Sequence, residues 1–174
     1  MPETAAHPLN PAGLPLARLP RRLAAIGYDS LLLASVLLAA TALALGLVIA
    51  TIGSEAFKAH NPLPGNPFFQ TWLFLVCFFF YSGFWVCGGQ TLGMRAWRLR
   101  IQKPNGQGIG WQQALLRFLT AGLWLAPAAY AHQVFKVGVT VSLGVGFGGL
   151  LLLLALRLPD RASDSELVVL PKKP

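Results

Sequence analysis

Four long apolar stretches divide the chain and predict its main elements. A helix needs about 20 apolar residues to cross a hydrocarbon core roughly 30 Å thick. Each stretch is of about this length or longer, and polar segments separate them. This pattern predicts an all-α transmembrane fold, a four-helix membrane bundle with spans at about residues 23–52, 68–86, 111–131 and 137–156.

The remaining segments complete the domain organisation. Residues 1–20 are rich in proline, which predicts a mobile cytosolic tail before a membrane domain at 21–170 and a short tail at 171–174. Because the polar tail precedes a very long apolar run, that run is not expected to be a cleaved signal peptide. Prolines within 55–67 predict a loop between the first two spans.

Strand-like patterns occur outside the spans. Residues 98–102 alternate polar and apolar side chains before Asn105-Gly106, which predicts a short cytosolic β-hairpin between helices two and three. Residues 166–170 near the C terminus have similar strand character. We therefore also hypothesise a small sheet that joins this loop to the tail.

Composition and charge favour a membrane protein. The chain is 55% hydrophobic and only 11% charged, with a mean hydropathy of +0.57, and is thus far more apolar than an ordinary soluble domain. A net charge of +8 would suggest a nucleic-acid partner in a soluble protein. Here the basic residues gather in alternate connections, which predicts both termini in the cytoplasm, the lipid bilayer as a partner, and no nucleic acid.

Four charged residues are candidate site residues. Arg22 and Asp29 lie seven residues apart, about two helical turns, so their side chains share one helix face. Arg117 in span three and Asp160 just beyond span four are predicted at the same level. The four could form a neutral structural network, or Asp29 could alternate between binding a proton and a cation. Snorkelling of Arg117 to the interface is a further alternative.

Other patterns offer little chemistry. The sequence has no Ser/His, paired-Asp or metal-ligand constellation at catalytic spacing, so neither an enzyme nor a cofactor or metal is expected. Residues 88–93 lack the Lys-Ser/Thr ending of a phosphate-binding loop, which favours a turn at the helix exit. Thr140, Gly144 and Gly148 form a small-residue face suited to helix packing, within the chain or in a dimer.

The residues resemble a known family in several places. Arg22 to Asp29 resembles the first-helix signature of the RDD family of small multi-pass bacterial membrane proteins. The segment after span two is similar to the family's GQTLGM-type segment, and further similarity covers residues 113–117 and 160–168. Pro159 and Cys87 depart from the histidines that are usual in the family. The resemblance identifies these residues as the family's named charges and cytosolic motif: Arg22, Asp29, Asp160, Gly89, Gln90, Thr91 and Gly93.

The resemblance also implies a location and an activity. It suggests a protein of the bacterial inner membrane, with cation/proton exchange proposed for some members and no settled activity for most. The best prediction is therefore a transport-related protein centred on Asp29, with a monovalent cation and a proton as partners. Because four helices enclose little space, a transport path would need polar backbone, water or a second protomer, and a homo-oligomer is expected. The alternative is a non-catalytic membrane module that anchors or assembles partner proteins through its cytosolic hairpin and tail.

Overall fold

A computed structural model gives the fold of residues 13–59 and 62–171, most of which are helical. The elements, in chain order, are α1 (Leu19–Ile52), α2 (Ser54–Ala59), α3 (Pro67–Gly88), α4 (Leu92–Ala96), β1 (Leu99–Gln102), α5 (Trp111–Gly122), α6 (Leu125–Val134), α7 (Val139–Ala155), α8 (Leu158–Ala162) and β2 (Glu166–Val169).

Three helical stretches are long and apolar enough to cross a membrane: Leu19–Ile52, Pro67–Gly88 and Trp111–His132. They coincide with the first three predicted spans. The fourth predicted span is the apolar helix α7, which has 17 residues. Large apolar side chains cover the outside of the bundle; Leu31 is 74% exposed and Phe68 is 85% exposed. Such a surface fits lipid rather than water, and the chain is a helical membrane-type protein.

Helix α3 illustrates how local sequence sets the ends of a span. Its N-cap is Asn66, whose side chain accepts hydrogen bonds from the backbone N–H groups of Phe68 and Phe69, as is typical of this residue at a helix start. Pro67 occupies the first turn, where a missing N–H is harmless. The helix ends at Gly88, and Gly89, which follows it, has a left-handed φ of 68°, a conformation that glycine adopts readily. The chain then leaves the bundle in a fixed direction.

The third span is interrupted between α5 and α6. Pro127 has no N–H to donate to the carbonyl of Leu123, and its ring would clash with that carbonyl in a regular helix. The chain tightens there instead, with hydrogen bonds from Leu123 N to Thr120 O and from Ala126 N to Leu123 O. The helix therefore breaks at Leu123, four residues before Pro127.

The two strands form one antiparallel pair. Arg100 is opposite Val168 and Ile101 is opposite Leu167, so the hypothesis of a sheet between loop and tail is confirmed. The predicted hairpin is wrong: residues 103–107 do form a turn, but no strand follows it. Three glycines from 106 to 110 give a second strand few side chains to pack. The apolar residues of β2 take that place.

The N-terminal segment adds backbone pairing to the other edge of β2. Ala17 N donates to Leu167 O and Val169 N donates to Pro15 O, both at 2.8 Å. Ala17 is only 2% exposed. The prediction of a mobile tail as far as residue 20 thus needs correction at 15–17, and α1 begins at Leu19 rather than 23. Residues 1–12 of that predicted tail, and 172–174 of the C-terminal one, lie outside the described residues.

A small core fixes this sheet to one end of the bundle. Leu99 and Ile101 of β1 are fully buried and pack in one cluster with Leu167 of β2, Ala25 of α1 and Trp85 of α3. Here we call residues 13–18, 92–102 and 158–170, which include α4, β1, α8 and β2, the cap. Because α1, α3, α5 and α7 each begin or end at it, the cap contacts the bundle from several sides.

The predicted small-residue face of α7 does not form its contact within the chain, and its use in a dimer stays a prediction. A methyl group added at Gly144 or Gly148 would meet no other atom within 4 Å, and Thr140 is exposed. The close contact with α6 instead uses Gly146, where an added Cβ would lie 2.9 Å from the Cβ of Ala128. Two residues rotate a helix by about 200°, so the predicted face lies on the opposite side from the contact.

Candidate charge-network site

Asp160 joins two helices through two ion pairs. Its Oδ2 lies 2.6 Å from an Nη of Arg22 on α1, and its Oδ1 lies 2.7 Å from an Nη of Arg117 on α5. All three residues are at most 7% exposed. A carboxylate on the cap therefore bridges two guanidinium groups that belong to two different membrane helices.

Further hydrogen bonds hold the two arginines in place. Arg22 Nε donates to Ala17 O at 3.1 Å, which ties α1 to the N-terminal segment. Arg117 donates to Ser165 Oγ at 2.7 Å, and its Cζ lies 5.7 Å from the ring centroid of Trp85. The cation therefore rests on an aromatic face, which adds a favourable electrostatic contact. Each arginine thus contacts the cap at a second residue besides Asp160.

The charge state of Asp160 follows from these neighbours. Burial disfavours the carboxylate, but the guanidinium groups of Arg117 and Arg22 outweigh it and hold the pKa of Asp160 below its ordinary value. Asp160 is therefore an anion at neutral pH. Its negative charge offsets one of the two positive charges buried beside it.

Asp29 is held by neutral groups instead. Thr91 Oγ1 donates to its Oδ2, and the backbone N–H of Gly93 donates to its Oδ1 at 2.8 Å. Asp29 is 2% exposed, and it has no salt bridge among residues 13–59 and 62–171. Its carboxylate thus connects α1 to α4.

The close approach of α4 to α1 requires glycine at position 93. A Cβ there would clash with the carbonyl oxygen of Ala25 and would lie 2.8 Å from Cγ of Asp29. Thr91, besides its bond to Asp29, accepts a hydrogen bond from Met94 N and so caps α4. Thr91 and Gly93 therefore hold the buried side chain of Asp29 in position.

Gly89 and Gln90, the first two residues of the predicted cytosolic motif that also contains Thr91 and Gly93, hold β1 in place. Gly89 combines a positive φ with tight space, since an added Cβ would lie 2.6 Å from Ile101 O. Its carbonyl accepts from Ile101 N at 2.7 Å, and Gln90 Nε2 donates to Leu99 O at 2.6 Å. Glycine satisfies both the φ and the space requirement at position 89. The hydrogen bonds of the motif thus connect the end of α3 and the start of α4 to β1.

The structure brings together three of the four predicted charges. Arg22, Arg117 and Asp160 meet in one network, whereas the ion pair between Arg22 and Asp29 does not form. Seven residues span about 10 Å along a helix, and helical side chains tilt toward the N terminus. Arg22 therefore reaches Ala17 and the cap. The shorter side chain of Asp29 instead reaches Thr91 and Gly93 at the start of α4.

Sequence reasoning missed two residues of the network. Ser165 accepts from Arg117 and hydrogen-bonds Ser163 at 2.6 Å, and Trp85 lies beneath the guanidinium group. Neither has a sequence signal of its own. Gln113 did have a sequence signal, because it lies one helical turn before Arg117 and therefore on the same helix face. Its Nε2 donates to Ser163 O at 3.1 Å, and its Oε1 caps the start of α5.

Comparison with known proteins identifies the family. A sequence model of the RDD family matches residues 16–163, a range that contains Arg22, Asp29, Arg117 and Asp160. No curated protein and no solved structure matches the chain.

Proposed function

The chain belongs to the RDD family, and from that premise we propose that it is a non-catalytic membrane module that holds a rigid cap at the membrane surface for assembly with a partner protein. The observation that carries this proposal is the double ion pair of Asp160. A buried carboxylate of the cap binds two membrane helices at once, which fixes the cap relative to the bundle.

The proposed setting is the bacterial inner membrane, with α7 as a fourth span and both termini cytoplasmic. Arginines are concentrated on the cap, whereas the connections at the opposite end of the helices contain Lys58 and Lys136. Such a bias favours a cytoplasmic cap. In a cysteine-free background, a membrane-impermeant maleimide should label Lys58→Cys in intact spheroplasts and Arg161→Cys only after permeabilisation. The reverse pattern would overturn this orientation.

The surface around α8 suits a protein partner. Arg157, Arg161, Asp164 and Glu166 line a groove of about 260 Å³ together with the edge of Asp160. Charges of both signs in one groove favour a partner of complementary pattern over a uniformly charged ligand. Because α8 also bears Asp160, the same short helix connects the proposed docking surface to the buried network.

A photo-crosslinking residue at Arg161 tests this function in native membranes at native expression levels. We expect a discrete adduct that Asp160→Asn abolishes, because the cap detaches, and that Glu55→Gln retains. Glu55 is a suitable control, since its carboxylate is exposed and lies outside this groove, in the connection between α1 and α3. No adduct, or an equally strong adduct from a crosslinker at Lys58, would refute the assembly role.

One observation favours a second candidate, cation/proton exchange centred on Asp29. Asp29 is buried and has no cationic partner among the described residues; such a carboxylate is costly as an anion, and binding a proton or a monovalent cation would remove that cost. The proposed transporter would be a homo-oligomer whose second protomer completes the path. Sodium- or potassium-driven proton movement in sealed proteoliposomes should then fall to background in Asp29→Asn. Undiminished flux in that variant would exclude Asp29, and no flux in the native protein would exclude transport.

A further inference from the structure

A second groove lies on the other side of the cap. It has a volume of about 660 Å³ and is bounded by the segment that leads into α1, the end of α4 and the end of β2. Its polar groups include the side chains of Arg21 and Arg98, and its walls include Leu14, Trp97 and Leu170. This groove therefore combines positive charge with an apolar surface.

The two arginines of this groove have no acidic partner in the described chain. No Asp or Glu of the described residues lines the groove, and neither Arg21 nor Arg98 forms a salt bridge within residues 13–59 and 62–171. Both are exposed. The groove near α8 contains acidic residues, so this one differs in charge as well as in position. Its charge is complementary to an anion.

Aromatic residues indicate that the groove lies at the membrane interface. Trp97 in the groove wall is 45% exposed, and Tyr28 and Trp111 near the same end of the bundle are each 49% exposed. Exposed Trp and Tyr at the end of membrane helices mark the headgroup layer. Arg21 lies eight residues before Asp29. Arg21 is therefore about 12 Å farther along α1 than Asp29, toward the start of the helix. This distance places Arg21 in the headgroup layer.

From these features we propose that the groove binds the headgroup of an anionic phospholipid from the surrounding leaflet. Arg21 and Arg98 contact the phosphate oxygens, for which the guanidinium fork is well matched. The side chains of Leu14, Trp97 and Leu170 contact the glycerol and the first methylenes. A free phosphate ion would use the arginines alone and would gain nothing from the apolar wall.

Native mass spectrometry of the full chain in detergent measures this binding with phosphatidylglycerol as the probe and phosphatidylcholine as the reference. An arginine near an anionic surface is worth roughly a factor of 5 in affinity, so Arg21→Gln with Arg98→Gln should weaken phosphatidylglycerol binding by roughly 25-fold. The control, Arg95→Gln with Arg161→Gln, removes the same charge from exposed positions outside this groove and should change binding less than about 3-fold.

Three results would overturn the proposal. Equal weakening in both double variants would show general attraction to the basic cap. Equal affinity for phosphatidylcholine would exclude recognition of charge. Displacement of phosphatidylglycerol by millimolar inorganic phosphate would identify the free ion as the ligand. Because all four substituted arginines are exposed, unchanged thermal unfolding of each variant is expected and separates lost binding from lost folding.

Discussion

Replacing Asp160 with asparagine isolates the buried charge network. The change keeps the side-chain shape but leaves the guanidinium groups of Arg22 and Arg117, 4% and 6% exposed, without the anion between them. Removing one partner of a buried ion pair costs about 3–5 kcal/mol. The asparagine carbonyl still accepts one hydrogen bond, so we expect a value near the lower end of that range, about 3 kcal/mol.

Thermal unfolding in detergent, followed by tryptophan fluorescence, measures this cost. For a chain of this size about 1 kcal/mol shifts Tm by roughly 2–4 °C, so Asp160→Asn should lower Tm by roughly 6–12 °C. Asp164→Asn, an exposed control, should stay within about 0.5 kcal/mol of the native protein. If both variants unfold at the native temperature, the ion pairs do not stabilise the fold and the reasoning fails.

An all-apolar replacement separates charge pairing from shape. Changing Arg22 and Arg117 to Met together with Asp160→Leu removes the entire network, and such replacements are often neutral or stabilising. We therefore expect this triple variant to be more stable than Asp160→Asn alone. A triple variant that is less stable than the single one would show that hydrogen bonding to the cap, not charge pairing, dominates.

Three further outcomes are expected. Because the pKa of Asp160 is lowered in the folded state, its contribution is complete above the ordinary carboxyl pKa of about 4 and is lost as pH falls through the folded value, so Tm of native protein and Asp160→Asn should converge in acid. Gly93→Ala should cost about 1–3 kcal/mol in urea unfolding because its Cβ meets a backbone carbonyl of α1, whereas Gly108→Ala, in open space, should be nearly neutral. Thr91→Val should cost about 1–3 kcal/mol in the same assay, because it leaves an oxygen of Asp29 without its donor.

Apolar length and charge placement predicted much of the fold. Membrane helices are specified by local composition, so three of the predicted spans coincide with long helices. The strand character of residues 166–170 likewise predicted β2, which pairs with β1 in the cap. Rise per residue alone placed the four candidate charges at one level, and three of them, Arg22, Arg117 and Asp160, meet in ion pairs.

The remaining features depend on contacts that local patterns do not encode. Asp29 is bonded to residues 62 and 64 positions away, and only the approach of α4 selects them over Arg22. Helix α7 is apolar on all sides, so small-residue spacing could not distinguish its lipid face from its contact face. Residues 15–17 pair through backbone groups, which have no signature in the side-chain pattern.

The central claim is that Asp160 fixes the cap to the membrane helices. Amide hydrogen exchange in nanodiscs tests it most directly at Ile101, Val169 and Leu170, whose N–H groups bond within the cap or to the turn at its edge. In Asp160→Asn, relative to Asp164→Asn, we predict exchange at these amides at least about 100-fold faster while the middle of α3 stays protected. Unchanged protection of the cap amides in Asp160→Asn would contradict the account.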